Sequence, residues 1–111
     1  MSETTNNTNN PKILAAELRR RWNNLLAEKG VSKELSYRIE KLDNRLEPIL
    51  DKMYLKTVKG QEMLKLCGEK TESVRTALLC GNDGMFRLLT DLEKTYEELL
   101  KKTYEFRIKA G

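Results

Sequence analysis

The apolar residues of this chain recur at alternating spacings of four and three over most of its length, and that period dictates helix. Leu35, Ile39, Leu42, Leu46, Ile49 and Met53 hold the alternation without error. Leu64, Cys67, Thr71, Val74 and Leu78 resume it, and Met85, Leu89, Leu92, Tyr96, Leu99, Thr103 and Phe106 carry it almost to the end. Residues three and four apart share one face of an α-helix, so each run offers a continuous stripe for burial. Two Pro and six Gly among 111 residues are too few for the turns of a β-sandwich or barrel. The expected fold is all-α: an antiparallel helical bundle with coiled-coil-like heptad phasing, with an elongated helical hairpin as its rival.

Punctuation residues set the expected boundaries. Residues 1–10 hold one charge, Glu3, among Ser, Thr and Asn, and are expected to form a flexible N-terminal tail. Residues 11–111 then make a single helical domain, with segments near 11–29, 32–59, 61–80 and 84–109. Asn10-Pro11 suits a helix start, because Asn accepts from free backbone N–H groups and Pro forfeits a donor already unpaired. Leu14, Leu18, Trp22 and Leu25 make the first stripe, which should close near Gly30, with Ser32 as the next cap. Pro48 deprives the Asn44 carbonyl of its donor, so a kink or a short break is expected near 44–48, and a further break around 59–61 at Gly60. Were 32–80 one helix, it would run about 70 Å and require association. Gly81-Asn82-Asp83-Gly84 is the strongest turn, with Asp83 placed to cap the last helix.

Charge and reactive chemistry narrow the function classes. No histidine is present, which removes the commonest general base and metal ligand. Asp43/Glu47/Asp51 and Glu93/Glu97 fall on charged helical surface, and the turn at 81–84 lacks the ligand series of a calcium loop. No phosphate loop, dinucleotide fingerprint or nucleophile elbow occurs. A non-enzyme without metal or cofactor is therefore expected. Cys67 and Cys80 lie in apolar helical sequence and are expected to be buried reduced thiols. No apolar run approaches the ~20 residues of a membrane span, and the start lacks the features of a secretory signal, so an intracellular protein is expected.

Two surfaces remain as candidates. The first is apolar: Leu78, Leu79, Met85, Phe86 and Leu89 crowd either side of the turn, more bulk than one helix pair easily buries. They are expected to dock a protein partner, a second copy or a helical assembly. The competing expectation is that the first helix covers them through Trp22. The second surface is basic. The net charge of +4 is concentrated toward the N-terminus, where residues 11–30 carry five Lys/Arg against two Glu, whereas residues 81–111 balance six against six. Lys12, Arg19, Arg20, Arg21 and Lys29 could grip nucleic-acid phosphates. Consecutive helical residues point about 100° apart, however, so the three arginines cannot form one flat patch. The expected function is a protein-interaction module, with nucleic-acid binding as the alternative.

Overall fold

Asn10 opens the first helix as its cap, its Oδ1 accepting from the Lys12 N–H at 2.8 Å. The computed structural model describes residues 10–110, with side chains through residue 106, so the expected tail lies outside the described residues except for Asn10. Helix α1 spans Pro11–Leu26 and buries Ala15, Leu18, Trp22 and Leu25. It closes through irregular turns ending at Gly30, whose φ of +86° places it in the left-handed region that glycine tolerates. The Ser32 hydroxyl then accepts from the Leu35 N–H at 3.1 Å and starts α2, Lys33–Leu46, which buries Leu35, Ile39, Leu42 and Leu46.

At Pro48 the expected interruption is a break and not a kink. The helix ends at Leu46, gives a 3-10 turn over Glu47–Ile49 and a second over Met53–Lys56, and a new helix starts at Val58. Pro48 has no N–H to return to Asn44, so the chain tightens into shorter i→i+3 bonds: Leu50 N–H to the Glu47 carbonyl, Lys52 to Ile49 and Leu55 to Lys52. The break lies over residues 47–57 and not at 59–61. The premise of the elongated hairpin, a helix through 32–80, is not met.

Gly60 belongs to the first turn of α3, Val58–Leu79. A Cβ there would lie 2.1 Å from the Tyr54 carbonyl oxygen, so glycine lets the helix press against the elbow that precedes it. Thr57 locks the junction, accepting from the Gly60 N–H at 3.0 Å and donating to the Tyr54 carbonyl at 2.6 Å. The elbow buries Ile49, Tyr54 and Leu55 and leaves Met53 exposed, although the sequence period had placed Met53 in the stripe.

Helix α3 buries Leu64, Cys67, Thr71, Val74 and Ala77, and the turn after it passes through Gly81 at φ +65°. The Asn82 N–H reaches back to the Ala77 carbonyl at 2.9 Å, and the Asn82 side chain accepts from the Gly84 N–H. Asn82, not Asp83, supplies the side-chain acceptor in this turn. Helix α4, Met85–Ala110, buries Met85, Leu89, Leu92, Tyr96, Leu99, Leu100 and Thr103. The four helices pack on one another around a single apolar core, with no strand among the described residues.

At the centre of that core Trp22 of α1 meets Tyr96 of α4 edge to face, ring centroids 5.9 Å apart. Its indole N–H donates to Thr71 of α3 at 3.1 Å. Trp22 is therefore the joint of three helices, as the core reading of its stripe requires.

Candidate functional site

The five apolar residues expected to form one docking face are divided by the fold. Met85 and Leu89 are buried, Leu78 is half-buried beside Gly30, and only Leu79 (56% exposed) and Phe86 (37%) face outward. The helical period explains the division: Ala77, one residue before Leu78, follows Val74 onto the buried face, and Leu79 rotates away from it. Phe86 carries the Arg38 guanidinium 5.8 Å from its ring centroid.

The basic candidates are also dispersed. Arg19 bonds Asp43 and Glu47 at 2.9 Å each, tying α1 to α2 and its end. Arg20 pairs with Glu17 within α1, and Arg21 reaches Glu72 on α3 at 2.7 Å. Lys12 and Lys29 are exposed at opposite ends of the α1 region. The three arginines thus turn to carboxylates on different helices, with Glu17 shared between Arg20 and Arg21, and do not gather into one basic patch.

Arginines elsewhere repeat this use. Arg75 bonds Glu28 at 2.7 Å, Arg38 bonds Glu93 through two nitrogens at 2.6 and 2.8 Å, and Arg45 pairs with Glu97. Hydrogen bonding to these carboxylates raises the pKa of Arg38 and Arg45. The Arg45 bond in turn holds the Glu97 carboxyl below its ordinary range, against the opposing effect of burial. Helical spacing offers Glu97 the ammonium of Lys101 one turn on, but its ion-pair partner is Arg45 on another helix. Glu98 meets Lys102 one turn on, at 3.7 Å.

Arg38–Glu93 and Arg45–Glu97 bridge a groove of about 640 Å³ between α2 and α4. Leu42 lies buried beneath it, Tyr37 stands 62% exposed at its wall, and Lys41, Lys94, Lys101 and Glu98 also line it. Lys41 lies 5.5 Å from the Tyr37 ring centroid, and neither it, Lys94 nor Lys101 forms an ion pair with a carboxylate of the described residues. Thr90 extends the groove toward Phe86, one helical turn earlier on α4. This site escaped the sequence reading. Arg38, Lys41 and Arg45 do fall at helical spacing, as do Lys94 and Lys101, but the sequence does not show that the two rows face each other.

Other reactive groups are sequestered or isolated. Cys67 is buried, and desolvation pushes its thiol up to about 12, so it is a poor nucleophile. Cys80, expected to be buried, is exposed at the end of α3 because it falls past the last buried position, Ala77. Among the described residues no cluster of metal-ligating side chains forms, and no helix is long and apolar enough to cross a membrane. The functional reading rests on the side chains described above, because no family model, no curated protein and no solved structure matches this chain.

Proposed function

We propose that this chain is a non-catalytic protein-interaction module, an antiparallel helical bundle that receives an acidic segment of a protein partner in the groove between α2 and α4. The observation that carries this reading is the set of three lysines, Lys41, Lys94 and Lys101, that form no ion pair with a described carboxylate, in a groove that also presents the exposed Tyr37. Charged groups at the rim steer and orient a partner, while apolar and aromatic surface supplies affinity. Phe86, the exposed aromatic member of the expected apolar face, extends the same surface at one end.

The groove favours a polypeptide over nucleic acid. Glu93, Glu97 and Glu98 stand among its cations, and a continuous phosphate backbone would run against them. A peptide can set its carboxylates opposite the lysines and neutral residues opposite the glutamates. The same reading places the chain inside the cell, supported by its free cysteines, Cys67 and Cys80.

Selection from a displayed peptide library followed by NMR titration tests this function. Selected peptides should be acidic, and their shift changes should fall on Tyr37, Lys41, Lys94 and Lys101. Charge reversal at the three lysines should abolish binding with the unfolding midpoint kept. A selection without binders, or shifts confined to another face, would end the reading.

A further inference from the structure

The elbow between α2 and α3 carries a second surface of different character. Its segment Lys52-Met53-Tyr54-Leu55-Lys56-Thr57-Val58-Lys59 has three lysines and no acidic residue. Tyr54 and Leu55 are buried, and turning them into the core directs Met53 and Val58 outward, 62% and 72% exposed. Those are among the most exposed large apolar side chains described, and they alternate with lysines that form no ion pair with a described carboxylate. Lys56 also shares a shallow groove with Lys12 from the start of α1, with Asp51 as its one carboxylate.

We propose that this elbow is a docking site for an anionic lipid surface. A bilayer interface rewards this combination: lysines gain from the negative potential of the headgroups, and short apolar side chains between them enter the boundary with the acyl chains. The backbone beneath is preset. Thr57 bonds both sides of the junction, and the helix at Gly60 presses on the Tyr54 carbonyl, so docking needs no reordering of the chain. Single-stranded nucleic acid fits less well, since it is held by aromatic stacking, and the one aromatic of the segment, Tyr54, is buried with its hydroxyl 3.5 Å from Met63 Sδ. A second copy would bring its own lysines against these.

Cosedimentation of the full chain with phosphatidylserine-rich and with pure phosphatidylcholine vesicles tests the proposal. Binding should occur only to the anionic vesicles and weaken with salt. Each lysine near such a surface is worth about fivefold in partitioning, so Lys52→Gln/Lys56→Gln/Lys59→Gln should reduce binding by more than about tenfold. Met53→Ser/Val58→Ser should reduce it as well, with the unfolding midpoint of both variants unchanged. The groove variant Lys41→Gln/Lys94→Gln/Lys101→Gln should bind vesicles as the parent does, which separates this surface from the peptide groove. Absence of binding, equal binding to neutral vesicles, or equal loss in the groove variant would overturn the proposal. So would retention on RNA that the elbow variant abolishes while neither protein binds vesicles.

Discussion

The indole N–H of Trp22 donates to the hydroxyl of Thr71 at 3.1 Å, and that hydroxyl donates in turn to the Cys67 carbonyl at 2.8 Å. One side chain thereby satisfies the only polar group of the largest buried residue and closes its own donor within α3. A buried donor left without an acceptor bears its full desolvation cost. Thr71→Val, which keeps the shape, should therefore destabilise the fold by about 1–3 kcal/mol, and Thr71→Ser by less, since it retains the oxygen. Chemical denaturation followed by tryptophan fluorescence measures both. Equal stability of Thr71→Val and the parent would show that the bond contributes nothing.

Tyr96 presents the opposite case. Its ring packs against Trp22, but its buried hydroxyl finds no hydrogen-bond partner among the described residues, and burial raises its pKa. Removing an unsatisfied polar atom while keeping the ring relieves a desolvation cost of about 1–3 kcal/mol. Tyr96→Phe is expected to be neutral or stabilising, whereas Tyr96→Ala should cost about 3–5 kcal/mol by emptying the site. A clear loss of stability in Tyr96→Phe would reveal a partner for the hydroxyl.

Two glycines of α3 should respond to alanine in opposite directions. At Gly60 the new Cβ would meet the Tyr54 backbone carbonyl oxygen at 2.1 Å, and Gly60→Ala should cost at least about 2 kcal/mol despite the better helix propensity of alanine. At Gly68 the nearest atoms belong to the flexible Arg21 side chain at 3.4 Å. Gly68→Ala should then be neutral or gain up to about 1 kcal/mol. Thermal unfolding of the two variants side by side decides the matter, and a similar loss in both would remove the close-approach argument.

Acid should loosen the seam between α2 and α4. The Arg45 hydrogen bond lowers the Glu97 pKa in the folded chain below its ordinary 4.5. A carboxylate whose folded pKa is depressed contributes stability above its unfolded pKa and loses it as pH falls through the folded value. Near neutral pH, Glu97→Gln should be less stable than the parent by under about 1 kcal/mol, since the pair is largely exposed. The difference should vanish as pH falls below 4.5. Unfolding midpoints across an acid series check this, and a difference that persists below that range would assign the effect to packing.

Much of the fold was legible because helical burial is periodic and local. The alternation at Leu35, Ile39, Leu42 and Leu46 and from Met85 to Thr103 names residues that are buried in the structure, and Asn10, Ser32 and Gly30 act where their backbone chemistry places them. The elbow was legible only as an interruption at Pro48, not in its extent. Ile49 stays in phase across Pro48, so the period alone cannot distinguish a bent helix from the 3-10 turns that replace it. What decides is tertiary: Tyr54 and Leu55 enter the core only if the helix stops, and Gly60 permits the next one to start against the Tyr54 carbonyl. The same holds for the candidate sites. Composition announced an arginine cluster and an apolar cluster, but whether a side chain is spent or free depends on what another helix sets opposite it. Arg19 and Arg21 face carboxylates from Asp43 and Glu72, whereas Lys41, Lys94 and Lys101 face a groove, because charge pairing is settled by distances of a few ångströms that only the assembled helices define.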